Sequence, residues 1–240
     1  MHLADIHTHI LPGVDDGAKT PADALEMLRL AAQSGVRHVI LTPHFNLRKT
    51  VKKNVVQLGL ELLREEVHKA GIDVELYEGH EIMVTSDLNT LLDAGEYCTL
   101  NGSRYVLLEL TMLHVRPPQE VLDEVFLSGV TPVLAHAERV EKLRGDLSAF
   151  AELCACGVII QINAESVIGT QDRKTAKFVH KLIKHGLVHV IASDCHDVTE
   201  RPANLAQAAR VIEKKFGEAA AKRLCFENPL RIIHNEDLDT

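Results

Sequence analysis

The chain has 240 residues, 46% of them hydrophobic and none of them Trp, which is enough for one large α/β unit with a core of Leu, Val, Ile and Ala. A formal charge of −8 argues against a general grip on nucleic acid, which needs Lys and Arg to neutralise phosphates. No apolar run approaches the roughly 18 residues of a membrane span, the start lacks a basic, apolar signal segment, and the five cysteines (Cys98, Cys154, Cys156, Cys195, Cys225) form an odd set without C-x-x-C spacing. The expectation is a cytoplasmic protein with reduced thiols and without membrane insertion, a disulfide framework or a thiolate zinc site.

In chain order, short apolar runs predict strands at 3–6, 38–41, 74–77, 105–110, 132–135, 158–162 and 188–192. Continuous runs of this kind suit strands buried on both faces of a parallel sheet. Amphipathic helices fill the intervals. Thr20-Pro21-Ala22-Asp23 supplies an N-cap, a proline at the first helical position and an acidic third residue, and Gly35 ends that helix. Gly71, Gly129, Gly157 and Gly186 each fall between a helix and the next strand. The stretch 204–240 reads as helical, with Asn228-Pro229 opening a last short helix and a polar tail after Asn235, and is expected to cover the bottom or side of the sheet. Seven βα units with no linker or repeat predict a single domain over 1–240.

The first strand runs into Asp5-Ile6-His7-Thr8-His9. Extended chain alternates its faces, so His7 and His9 point the same way and can converge on one cation. Further candidates follow the other strands: His44 the second, Glu81 the third, Glu109 the fourth, His136 the fifth, and Asp194 with His196 the seventh. All lie at or beyond carboxyl ends, which in a closed parallel barrel share one face. Imidazoles and carboxylates without thiolates suit manganese, iron or zinc.

These strings, with Val14-Asp15-Asp16-Gly17, Thr42-Pro43-His44, Gly79-His80-Glu81-Ile82, Asn101-Gly102-Ser103-Arg104-Tyr105, Ala135-His136-Ala137-Glu138-Arg139 and Ser193-Asp194-Cys195-His196 followed by Arg201-Pro202, resemble the PHP (polymerase and histidinol phosphatase) superfamily. Within it they are most similar to the metal-dependent protein-tyrosine phosphatases of bacterial capsule and exopolysaccharide operons. The resemblance implies a distorted (β/α)7 TIM-like barrel of parallel strands with outer helices. It also implies three divalent ions, manganese with iron or zinc as alternatives: His7, His9, Glu81 and Asp194 around one, Glu81, Glu109 and His136 around a second, and Asp16, His44 and His196 around a third. Arg139 and Arg201 are implied to hold the phosphoryl group. The implied reaction is attack on phosphotyrosine by a metal-bridging hydroxide, with an autophosphorylated bacterial tyrosine kinase as substrate.

Several readings stay open in the sequence. Glu78 competes with Glu81 and Asp15 with Asp16; Asp5 is expected to support the first strand end or a histidine ring. His80 is either a supporting partner or exposed. His2, His38, His68, His114, His180, His185, His189 and His234 read as structural or surface residues. Arg48, Lys49, Lys52 and Lys53 read as a solvated basic face or an attractor of acidic phosphopeptides, and 45–55 and 113–118 depart from the capsule-operon pattern. Cys195 and Arg201 fit the C-x5-R spacing of cysteine-dependent phosphatases, but the intervening segment has no glycine and carries two carboxylates. A histidinol-phosphate-type phosphatase is the nearest rival, with amidohydrolases and a TatD-type nuclease behind it.

Overall fold

The computed structural model describes residues 1–45, 51–84, 95–110, 118–170 and 172–238. Arg48, Lys49, His114 and residues 113–117 lie outside that set. The strands are β1 (Leu3–Asp5), β2 (Val36–Leu41), β3 (His44–Phe45), β4 (Glu75–Glu78), β5 (Glu81–Met83), β6 (Tyr105–Glu109), β7 (Thr131–Leu134), β8 (Ile159–Asn163) and β9 (Val190–Ala192). All neighbouring pairs are parallel, in the orders β1-β2-β4 and β3-β5-β6-β7-β8-β9. The chain of β2 leads directly into β3 and that of β4 into β5, so the two sheets share two interrupted staves. A parallel bridge between Thr8 and Cys195 brings the last strand end to the first, supported by His9 N–H to Cys195 O (2.9 Å) and Asp194 N–H to His7 O (2.9 Å). The result is a distorted, TIM-like barrel of seven parallel staves.

Each of the seven expected strands is present. The sequence pattern does not show that the second and third staves are broken. Pro43 has no N–H for a ladder bond, and at Gly79 the chain passes so close to Ile40 that an added Cβ would lie 2.8 Å from its Cγ2. The ladder resumes at His44 and Glu81, which pair directly.

The first helix, α1 (Pro21–Ser34), forms as its sequence predicts: Thr20 and Asp23 make a reciprocal capping box, and Gly35 closes it at φ 105°. Among the described residues the further α-helices are α2 (Lys53–Lys69), α3 (Pro118–Leu127), α4 (Leu147–Ala155), α5 (Ala164–Ile168), α6 (Arg173–Lys184), α7 (Leu205–Phe216), α8 (Glu218–Lys222) and α9 (Asn228–Ile233). Among the described residues no helix is long and apolar enough to cross a membrane.

Strand alternation divides the apolar residues into two cores. Leu3, Val39, Leu41, Val106, Leu108, Leu134, Ile160 and Ile191 face the helices. Ala4, Ile6, Ile40, Tyr105, Leu107, Val133, Ile159 and Val190 fill the barrel interior, where Ile232, Ile233 and Leu238 from the C-terminal segment close it. That segment therefore seals the bottom. Its polar tail is pinned: Tyr105 Oη donates to Glu236 O (2.7 Å) and Arg104 pairs with Asp237, while Asn101 Nδ2 donates to Ile233 O (3.0 Å) at the end of α9.

Candidate metal centre

At the carboxyl ends the interior changes from apolar to ionisable. His7 and His9 lie just past β1, and their Nε2 atoms are 3.2 Å apart. Glu81, the first residue of β5, is buried at the centre of the group. Its Oε1 faces His136 Nε2 (2.9 Å) and His7 Nε2 (3.3 Å), while Oε2 faces His44 Nδ1 (2.8 Å) and His9 Nε2 (3.3 Å). One carboxylate thus meets four imidazoles. Glu109 Oε1 stands 3.8 Å from His136 Nε2, and Asp16 Oδ1 stands 3.2 Å from His44 Nε2 and 3.4 Å from His196 Nε2. Asp194 Oδ1 lies 3.4 Å from His7 Nε2.

All nine residues singled out in the sequence therefore gather in one cluster. The ligand atoms of eight of them form three compact sets: His9, Asp16, His44 and His196; His7, His9 and Asp194; and His44, Glu81 and Glu109; His136 falls in none of the three and meets Glu81 and Glu109 beside them. The partition differs from the implied one, since His9 and His44 each sit between two sets.

The alternatives resolve by geometry. Asp15 does not join the cluster but holds it: its Oδ2 accepts from His9 Nδ1 (2.7 Å) and His44 N–H (3.2 Å), and its Oδ1 from Gly17 N–H (2.9 Å). Gly17 is required there, because a Cβ would fall 1.8 Å from His9 O. Glu78 ends β4, outside the three sets. Asp5 supports backbone rather than a ring, its Oδ1 accepting from Ser193 N–H (3.0 Å) and His7 N–H (3.4 Å). His80 is buried, its ring beside Phe45 and its Nδ1 accepting from Cys98 N–H (2.8 Å).

Two supporting residues escaped the sequence reading. On β8, Gln161 Oε1 accepts from His7 Nδ1 (3.1 Å) and His136 N–H (2.8 Å), and its Nε2 donates to Asn163 Oδ1 (2.9 Å). Asn163 Nδ2 in turn donates to Asp194 Oδ2 (2.7 Å). Because His7 gives its Nδ1 proton to Gln161, its Nε2 lone pair is free to face the cluster. The available signal was two amides at alternate positions of an otherwise apolar strand.

Electrostatically the cluster wants cations. Burial disfavours an imidazolium at His9, but Asp15 and Glu81 outweigh it and raise the pKa to about 10. Burial likewise opposes charge on His44 and His136, and Glu81 raises both. Burial pushes the Glu81 carboxyl up, yet His7, His136 and His44 hold it well below the usual range. Glu109 is raised by burial and by the neighbouring Glu81 charge. Burial, His9 and Arg201 lower His196 to about 4. Glu81 Oε2, Glu109 Oε2, His44 Nδ1 and His196 Nε2 are buried without an aligned hydrogen bond. Buried polar atoms are nearly always satisfied, so four converging orphans of ligand type fit divalent ions. The oxygen and nitrogen donor set fits the same ions.

At the rim, Arg139 and Arg201 both reach Asp194 Oδ2, at 3.2 Å and 2.8 Å. Each is about half exposed. Cys195 is fully buried and its thiol is pushed up by burial. The backbone amides of Thr199, Glu200 and Arg201 already donate to Asp197 Oδ1 (2.6, 2.6 and 3.3 Å). No phosphate cradle of the cysteine-dependent kind is formed by that segment.

The model of the family described as "Capsular polysaccharide synthesis, CpsB/CapC" matches residues 3–234. The chain is 33% identical to the tyrosine-protein phosphatase YwqE of Bacillus subtilis (strain 168), covering 98% of this chain and 93% of that one. It is 33% identical to the tyrosine-protein phosphatase CpsB of Streptococcus pneumoniae, over 98% and 99% of the two chains. A crystal structure from work on YwqE and CpsB, described there as unique metal-dependent tyrosine phosphatases, superposes with a TM-score of 0.90 at 30% identity, over 99% of this chain and 96% of that one. A match along nearly the whole length, joined to this strand-end cluster, makes the chain a member of the CpsB/CapC family.

Proposed function

We propose that this protein is a metal-dependent protein-tyrosine phosphatase of the PHP type, acting in the cytoplasm as one domain over 1–240 on a phosphotyrosine protein, an autophosphorylated bacterial tyrosine kinase. The observation that carries the reading is the pair of guanidinium groups, Arg139 and Arg201, meeting at Asp194 on the rim of a buried imidazole and carboxylate cluster. The names of the relatives support the same activity, and the free cysteines suit a reducing compartment.

His7, His9, Glu81 and Asp194, Glu81, Glu109 and His136, and Asp16, His44 and His196 would hold three divalent ions, manganese foremost. Bound there, such ions supply Lewis acidity and lower the pKa of water towards neutrality. Arg139 and Arg201 present planar forks to non-bridging phosphoryl oxygens and stabilise the charge that grows on them. Asp194, fixed by Asn163 and by both arginines, keeps the forks at the rim. A phenolate with a conjugate pKa of about 10 departs with little help from an acid.

The test is turnover of phosphotyrosine peptides, phosphoserine peptides, histidinol phosphate and single-stranded DNA, each with chelator and with Mn2+. Phosphotyrosine hydrolysis that needs metal, and that survives Cys195→Ser, is the expected result. Preference for histidinol phosphate would replace the substrate; loss of activity in Cys195→Ser with metal content unchanged would replace the mechanism.

A further inference from the structure

On α6, Arg173, Lys174, Lys177, Lys181 and Lys184 are the charged residues, with no Asp or Glu among its twelve positions. At about 100° per residue all five cations fall within one arc of about 100°. Ala176, Val179, Leu182 and Ile183 occupy the opposite side and are buried. The five are exposed. The adjacent carboxylate, Asp172, is taken up in capping the helix, accepting from Lys174 N–H (2.8 Å) and Thr175 Oγ1 (2.5 Å).

The stripe continues onto α7. His180 and Phe216 are in ring contact at 6.0 Å, Lys215 lies close enough to act on His180 electrostatically, and Lys214 and Lys215 are exposed in the last turn, with Glu213 beside them. In a chain of formal charge −8 this wall is a concentrated positive surface.

What it lacks identifies the partner. Protein interfaces are centred on apolar or aromatic anchors, and among the described residues the exposed large hydrophobics are Met1, Leu30, Val55, Leu58, Leu62, Leu127 and Val198, none of them on α6 or α7. Single-stranded nucleic acid is gripped by aromatic platforms, and Phe178 packs against the core. A stripe of about 18 Å, cationic and without anchors, fits a plane of anionic headgroups.

We propose that the α6 face, extended by Lys214 and Lys215, docks the protein peripherally on an anionic bilayer. α6 follows β8 and precedes β9 in the chain and turns Val179, Leu182 and Ile183 into the core that faces the helices, so the stripe lies on the flank of the barrel and the metal centre would open along the bilayer rather than into it.

The experiment is co-sedimentation of the full chain with phosphatidylcholine vesicles, with and without phosphatidylglycerol, across a salt titration. Binding is expected only to the phosphatidylglycerol vesicles and is expected to weaken with salt. The combined Lys177→Gln, Lys181→Gln and Lys184→Gln variant should bind about a hundredfold more weakly, while hydrolysis of a soluble phosphotyrosine peptide stays unchanged. Gln preserves helix propensity, and the salt titration of the unaltered chain stands without any variant. Failure of the unaltered chain to bind at low salt, equal binding by the variant, or preference for duplex DNA over the vesicles would each overturn the proposal. None of these outcomes bears on the phosphatase reading.

Discussion

The lower and upper halves of the barrel interior come from the same strands and the same inward register, yet they obey opposite rules. Along β8 the inward positions run Ile159, Gln161, Asn163; along β6 they run Tyr105, Leu107, Glu109; and β9 places Val190 and Ala192 before Asp194. The lower half is apolar and sealed by Ile232, Ile233 and Leu238. The upper half buries imidazoles and carboxylates, leaves four ligand-type atoms without aligned partners, and holds His136 and Asp194 at φ 33° and 55°. Left-handed backbone at non-glycine residues stores strain of order 1–3 kcal/mol each. Stability is thus drawn from the lower half and spent in the upper, where a cation is needed.

The sharpest way to break this division pairs Glu109→Gln with Leu107→Ala, neighbours along one inward face. Glu109 is raised by burial and by Glu81, so removing its charge should leave the metal-free protein as stable or more so. Metal-supported turnover should fall by more than about a hundredfold, beyond the cost usual for residues that merely support ligands. Leu107→Ala should do the reverse, losing about 2–5 kcal/mol in urea unfolding while keeping turnover per folded molecule. Inactivation by Leu107→Ala, or severe unfolding by Glu109→Gln, would erase the division.

A second expectation concerns pH at the lower end. His189 is buried, its Nδ1 accepting from Ile160 N–H (2.9 Å), and burial together with Arg223 lowers its pKa from 6.5 to about 4. The folded pKa lies below the unfolded one, so the unfolded chain binds more protons between them. The stability contribution is therefore complete above about pH 6.5 and is lost as pH falls towards about 4. His189→Gln keeps an acceptor but no titration, and should gain on the unaltered chain by up to about 3 kcal/mol over that window. A pH-independent difference in unfolding free energy would refute it.

The smallest effect sharpens the boundary between the halves. Gln161→Leu removes the acceptor that fixes the His7 proton on Nδ1, and should weaken Mn2+ binding by about 10–100-fold. Titration of the metal-free protein, read by calorimetry, measures it; unchanged affinity would show that His7 needs no such support. Across all variants metal affinity should rise with pH and be lost as pH falls, because raised imidazoles at His9, His44 and His136 must lose their protons to bind.

The seven staves were legible because strands buried on both sides need continuous apolar runs, and α1 because its caps are local chemistry. The breaks at Pro43 and Gly79 were less so, since each depends on a neighbour from another segment: Thr8 O receives Thr42 N–H at 2.9 Å, and Ile40 crowds Gly79. The partners of the polar tail carried no sequence signal, since Arg104 and Tyr105, which pin it, stand about 130 residues away. Gln161 and Asn163 went unnoticed because an amide holds a ligand without resembling one.

Most of the candidate ligands were marked by the sequence alone, because imidazoles and carboxylates stood at the ends of successive apolar runs and strand polarity puts all such ends on one face; Asp16 came only with the family resemblance. Which atoms meet was decided only by the tertiary structure. Glu81 as the hub of four imidazoles, Asp15 as holder rather than member, and the amide chain from His7 through Gln161 and Asn163 to Asp194 all join segments far apart in the chain. Their distances follow from how the broken staves close around the barrel, and local pattern carries no record of that closure.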